Sequence, residues 1–174
     1  MDGRQGEGSQ RSERPRRLTL RRPLSRNERL PIFLYIPKHV RPAFQVVVFF
    51  PGSLAFMTRD NELDSLDFGN VEFIIRSGRV VVVPVYKGAM ERNDEESTTY
   101  RIADEAMETR RYADYLVKLV KDFNRTLDYL ETRGDFDNDR IGYFGFSEGG
   151  LWAPILLTAA EGRVKAAVLE LGAL

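Results

Sequence analysis

Between Arg140 and Trp152 the chain reads Arg-Ile-Gly-Tyr-Phe-Gly-Phe-Ser-Glu-Gly-Gly-Leu-Trp, and few backbone arrangements accept that order of residues. Ile141, Tyr143, Phe144 and Phe146 suit a buried strand, while Leu151, Trp152, Ile155, Leu156 and Ala159 recur at helical spacing. The spacing predicts a strand that passes into a helix through Gly145-Phe146-Ser147-Glu148-Gly149 with almost no loop. A turn that sharp forces its central residue into a strained conformation and requires neighbours without bulk, which Gly145 and Gly149 supply.

Such a turn holds the Ser147 hydroxyl exposed above the sheet and sets the backbone NH of Glu148 at the start of the helix, where it faces any anion forming beside the serine. Ser147 is therefore the candidate nucleophile and Glu148 a candidate oxyanion donor through its backbone. The glycines also leave open a nucleotide-binding reading, in which Glu170, closing the next strand, would meet a ribose. The spacing, however, is not Gly-x-Gly-x-x-Gly, and no phosphate-binding lysine follows.

Composition narrows the chemistry. The 174 residues are 43% hydrophobic, enough for one domain with a core. Charge balances at 26 basic and 26 acidic residues, which gives no reason to expect a nucleic-acid or membrane-surface partner. No run has the length of a membrane span or the form of a signal peptide, so a cytoplasmic protein is expected. Cysteine is absent and histidine occurs once, as His39. Disulfides, thiolate metal sites and multi-histidine zinc sites are excluded together, and neither a metal nor a cofactor is expected.

Eight arginines fall within residues 1–26, which reads as a disordered basic tail or linker, with Arg17 to Arg21 alternating as a short edge strand would. Leu30 to Ile36 and Gln45 to Phe50 are strand patterns joined by Pro37-Lys38-His39-Val40-Arg41-Pro42, too short for a crossover helix, and an antiparallel hairpin is expected. Pro51-Gly52-Ser53-Leu54 follows the second strand. A glycine there lets backbone NH groups turn toward a ligand, so Ser53 is the candidate second oxyanion donor. Residues 61–77 carry an irregular helical pattern, and Arg79 to Tyr86 another buried strand. Tyr86 and Lys87, at its C-terminal end, are candidate substrate-binding residues, because ligands gather at such ends in open α/β sheets.

A helical pattern runs from about Thr98 to Arg133. Asp135 to Asp139 has carboxylates at calcium-loop spacing, but Arg140 stands at the sixth position and Phe146 at the twelfth, so these are turn and capping residues. Val164 to Leu171 reads as a last strand. From Gln45 onward strands alternate with helices, which predicts an α/β fold: a mostly parallel sheet with helices on both faces.

Taken together, Pro51-Gly52-Ser53, Tyr86-Lys87-Gly88, Asp137-Asn138-Asp139-Arg140-Ile141 and Gly145 to Gly150 resemble the α/β-hydrolase superfamily from about Glu28 to the end of the chain. The resemblance is greatest to the dienelactone-hydrolase and prolyl-oligopeptidase-like branch, including bacterial members fused behind serine/threonine kinase domains. It implies hydrolysis of acyl esters or peptides by a serine, an acid and a histidine, with a small-molecule acyl ester as the expected substrate.

In that family the acid and the histidine come after later strands, so residues 27–174 read as a partial, C-terminally truncated α/β-hydrolase domain. Glu170 is the one topologically reasonable acid. His39 lies at the start of the Gln45 to Phe50 strand and Ser147 beyond the sheet's opposite edge, about 20 Å away, so it reads as an exposed loop residue more than as the base. Weak activity, or a non-catalytic interaction domain of the same fold, is the consequence. An unpaired apolar edge at the last strand further predicts a homo-oligomer formed through that edge.

Overall fold

In the computed structural model, residues 16–20, 29–57, 69, 71–94 and 109–170 are described. Six strands form one sheet in the order β1-β2-β4-β3-β5-β6: β1 Arg16–Leu20, β2 Leu30–Tyr35, β3 Phe44–Phe50, β4 Val80–Pro84, β5 Phe136–Phe146 and β6 Ala166–Glu170. The pairs β4 with β3, β3 with β5, and β5 with β6 are parallel, while β1 with β2 and β2 with β4 are antiparallel. The mostly parallel α/β sheet expected from the alternation of strands and helices is present. Residues 16–20 form an edge strand, close to the Arg17 to Arg21 alternation and within the stretch expected to be a disordered tail or linker; the remainder of the arginine-rich stretch lies outside the described residues.

One expectation fails. The β2 and β3 strands do not pair with each other, because β4 lies between them. Burial gives the reason: all five residues of β4 are buried, so it needs a hydrogen-bonded neighbour on each side and cannot serve as an edge. The connection from β2 to β3 passes over the start of β4, where a β-carbon added to Gly78 would lie 2.9 Å from Val40 Cγ2. Gly78 adopts a φ of +89° there, which a glycine tolerates.

Two long helices cover one face. The helix α3 runs over Arg110–Glu131 and is capped by Thr109, whose hydroxyl accepts the Tyr112 NH at 3.2 Å. Residues 98–108, where the helical pattern begins in sequence, lie outside the described residues. The helix α4 spans Glu148–Ala159. Short helices α1 (Leu54–Met57) and α2 (Glu72–Arg76) follow β3 and precede β4. α2 lies on the opposite face, where Phe73 meets the edge of Phe144, so helices occur on both faces. The predicted segment 61–77 is helical from Glu72; residues 61–68 and 70 are not described.

The core beneath the C-terminal ends of the strands is aromatic. Phe50 stacks on Tyr86 with ring centroids 4.0 Å apart, and Trp152 meets Phe50, Phe56 and Tyr115 edge-on at 5.5–5.9 Å. Burying a side chain such as Phe50 contributes about 1.5–3 kcal/mol, so this cluster fixes α1, α4 and the ends of β3 and β4 against one another.

Strand β5 is longer than predicted because it absorbs the acidic stretch. Pairing steps from Phe44↔Phe136 to Val46↔Ile141, so three extra residues of β5 bulge out. Within the bulge Asp137 accepts the Asp139 NH at 3.2 Å and pairs with Arg140. The Asp137 carboxylate thus stabilises the bulge, a local structural role in place of a calcium site.

Candidate active site

Ser147 stands at the junction of β5 and α4 with φ 52° and ψ −110°. For a residue with a β-carbon this costs on the order of 1–3 kcal/mol, and it persists only where the surroundings over-determine it. Three observations show how they do so. The Ser147 NH donates to the Glu170 carbonyl at 2.8 Å, and the Ser147 carbonyl accepts from Gly150 and Leu151 at 2.9 and 3.1 Å. A β-carbon on Gly145 would lie 2.6 Å from the carbonyl carbon of Gly149. One on Gly149 would lie 2.9 Å from the carbonyl carbon of Phe50, and closer still to its oxygen. Strand and helix approach so closely that only glycine fits at either position.

The loop after β3 lies against the serine. A β-carbon on Gly52 would sit 3.3 Å from Ser147 Cβ and 3.1 Å from Phe146 Cδ1. The structure thus brings together the Pro51 to Leu54 loop, which carries Ser53, with Ser147 and with Glu148 in the first turn of α4. Ser53 and Ser147 are both half-buried, accessible from solvent yet backed by the core.

Of the other sequence candidates, Glu170 lies beside the elbow, whereas Tyr86 and His39 lie away from it. Tyr86 is fully buried beneath Phe50 and not at a pocket edge, and its hydroxyl has no hydrogen-bond partner among the described residues. Burial, followed by the proximity of Tyr143 and Asp122, raises its pKa well above the ordinary phenol value. Lys87 pairs with Asp94 at 2.9 Å. Glu170 ends β6 with its side chain exposed, and its carbonyl holds the Ser147 NH. His39 is exposed in the turn before β3, so the whole strand separates it from Gly52.

A buried polar clamp that no sequence motif marks lies behind the site. Asp122, on the inner face of α3, is 1% exposed and accepts from the Lys87 NH at 2.7 Å and from Arg92 Nη1 at 2.6 Å. Arg92 Nη1 also donates to the Val85 carbonyl at 2.7 Å. Next to it, Asn93 Nδ2 donates to the Phe56 carbonyl in α1 at 2.7 Å. The segment after β4 is thereby tied to α3 on one side and to the helix following the Gly52 loop on the other. A signal existed: Asp122 shares the apolar helical face of Tyr115, Leu119, Phe123 and Thr126, and an acid on such a face calls for a partner.

The sequence model of the dienelactone hydrolase family matches residues 33–172. The chain belongs to this family. No curated protein matches it by sequence. Among solved structures it is similar to a protein described as a dipeptidyl aminopeptidase IV from Bacteroides ovatus ATCC 8483, with TM-score 0.64 and 18% identity over 88% of this chain and 20% of that one. It is also similar to one described as an acetyl xylan esterase from Bacteroides fragilis NCTC 9343, with TM-score 0.58 and 18% identity over 89% of this chain and 47% of the other. Prolyl oligopeptidase B from Galerina marginata gives TM-score 0.62 and 18% identity over 90% and 20%.

The dienelactone-hydrolase membership agrees with the resemblance carried by the Gly145 to Gly150 motif and its preceding strand. At these identities the structural likeness establishes a shared α/β-hydrolase fold. The chain spans between a fifth and about half of the lengths of these structures. Among the described residues no helix is long and apolar enough to cross a membrane.

Proposed function

We propose that this chain carries the nucleophile and oxyanion site of a serine hydrolase acting on small carboxylic esters. The Ser147 oxygen attacks the acyl carbon, the carbonyl π electrons move onto oxygen, and backbone NH groups of Glu148 and Ser53 receive the oxyanion. Collapse of the tetrahedral species expels the alcohol and leaves an acyl-serine, which water then hydrolyses. The observation that carries this reading is the strained conformation of Ser147 beside Gly52, since a scaffold with no use for an exposed hydroxyl gains nothing from that strain. Hydrolase membership and neighbours described as esterase and peptidases support the reaction class.

Turnover by residues 1–174 alone is weak in this account, because the one histidine lies at the far end of β3 and the serine proton leaves to water. Oxyanion donors and binding can still hold ~10³ to 10⁴ over the uncatalysed rate without a full triad. Glu170 is the candidate acid, nearest in topology to the elbow. The test is labelling with an alkyl fluorophosphonate: one adduct, on Ser147, absent from S147A. A folded sample that stays unlabelled contradicts the proposal.

The partner surface proposed is a second copy of the chain along β6, beyond which no strand lies among the described residues. All five of its residues are exposed, including Val168 and Leu169, and an unpaired apolar edge tends to pair. Light scattering should show self-association that Val168→Lys reverses; a monomer at high concentration argues against it.

A further inference from the structure

The first turn of α4 is weak by its own composition, yet it must hold the strain at Ser147. Gly149 and Gly150 are poor helix formers, each costing about 1 kcal/mol relative to alanine. Pro154, inside α4, has no NH to offer the Gly150 carbonyl, so one rung next to the turn is missing. Something outside the helix must keep its start in place.

We propose that Tyr143 is a positioning residue that pins the elbow and thereby aims Ser147. Its hydroxyl donates to the Gly149 carbonyl at 2.6 Å, and the bond is buried. The ring is held from two sides: Phe123 meets it edge-on with centroids 5.6 Å apart, and its Cε1 lies 2.8 Å from where a β-carbon on Gly145 would stand. Tyr143 fills the space that the glycine leaves and spans from strand to helix behind the serine. It is a fixed strut, since the phenol is 2% exposed and has no solvent to turn toward. Without the hydroxyl, the Gly149 carbonyl keeps only helical partners, and the turn is free to relax its backbone toward ordinary angles.

The inference rests on Ser147 being the nucleophile, and its test separates the two claims. The variant is Tyr143→Phe in the full chain, with Tyr129→Phe as a control that removes a phenol bonded to Arg133 elsewhere on the sheet's helical face. With a fluorophosphonate, the maximal inactivation rate of Y143F falls about tenfold while the concentration for half-maximal rate is unchanged, because attack geometry is altered and reversible binding is not. Y129F labels like the parent.

Amide hydrogen exchange provides the second readout. The Gly150 and Leu151 amides, which bond to the Ser147 carbonyl, lose about tenfold protection in Y143F beyond any global change. Equal exchange at these amides in parent and Y143F overturns the pinning claim whether or not the parent labels. An unlabelled parent with exposed elbow amides in Y143F overturns the hydrolase reading and leaves the strut standing.

Discussion

Gly52 and Ser147, 95 positions apart in sequence, meet closely enough that a β-carbon on the glycine would stand 3.3 Å from that of the serine. The contact places a backbone loop, and not a side chain, along one flank of the hydroxyl. Gly52→Ala therefore tests the site without attacking the core. Phe146 and Ser147 must each give by a few tenths of an ångström, so a stability loss below about 1 kcal/mol is expected. Fluorophosphonate labelling should slow about tenfold or more, because the loop proposed to donate to the oxyanion is displaced relative to the serine. Unchanged labelling kinetics would mean that the loop takes no part.

Gly149→Ala makes the opposite kind of prediction. The added methyl meets the Phe50 carbonyl, a backbone group inside the central sheet that cannot step aside. Strand and helix must separate, at a cost of about 3 kcal/mol or more in urea denaturation. A loss under about 1 kcal/mol would show that α4 does not sit as close to β3 as described.

Among the described residues Asp122 is the most deeply buried charged side chain. Asp122→Ala removes the carboxylate that Arg92, 9% exposed at its side chain, contacts at 2.6 Å. Breaking a buried pair from one side costs about 3–5 kcal/mol, whereas replacing both members with apolar residues of similar size is often near neutral. Equilibrium unfolding of D122A, R92M and the D122L/R92M pair measures this. The double variant is expected to recover part of the loss, since the bonds to the Lys87 NH and the Val85 carbonyl are still removed, and strictly additive losses contradict the clamp.

Alkaline pH probes the interior beneath the elbow. Burial raises the phenol pKa of Tyr143, and burial together with Tyr143 and Asp122 raises that of Tyr86. A raised folded-state value means the native state holds the proton more tightly than the unfolded chain. The stability from each phenol is complete below the unfolded value of about 10, and is lost as pH rises from there toward the folded value. Each contributes a slope of about 1.4 kcal/mol per pH unit in that window. Denaturant midpoints from pH 9 upward should fall more gently in Tyr86→Phe than in the parent; parallel curves would place the Tyr86 phenol in contact with solvent.

The parts of this fold that follow from local chemistry were legible in the sequence. Strand, turn and helix around Ser147 were readable because glycine spacing, β-branched and aromatic runs and helical periodicity all act within a few residues. The place of β4 between β2 and β3 was not, because adjacent strands joined by six residues suggest a hairpin, and only the burial of Val80 to Pro84 on both faces decides otherwise. Tyr86 was misjudged for a related reason: strand ends in open sheets carry both pocket residues and core residues, and its stacking on Phe50 depends on a partner 36 positions away. The strut from Tyr143 and the clamp at Asp122 were invisible as pairs, since each joins groups brought together by packing.

The most direct trial of the account is to mix the protein with an excess of p-nitrophenyl acetate, quench with acid and map the product by peptide mass spectrometry. One acetyl group is expected on Ser147, formed with release of one equivalent of nitrophenol and absent from S147A. Acetylation confined to lysines, or a folded chain whose Ser147 peptide keeps its native mass, would contradict it.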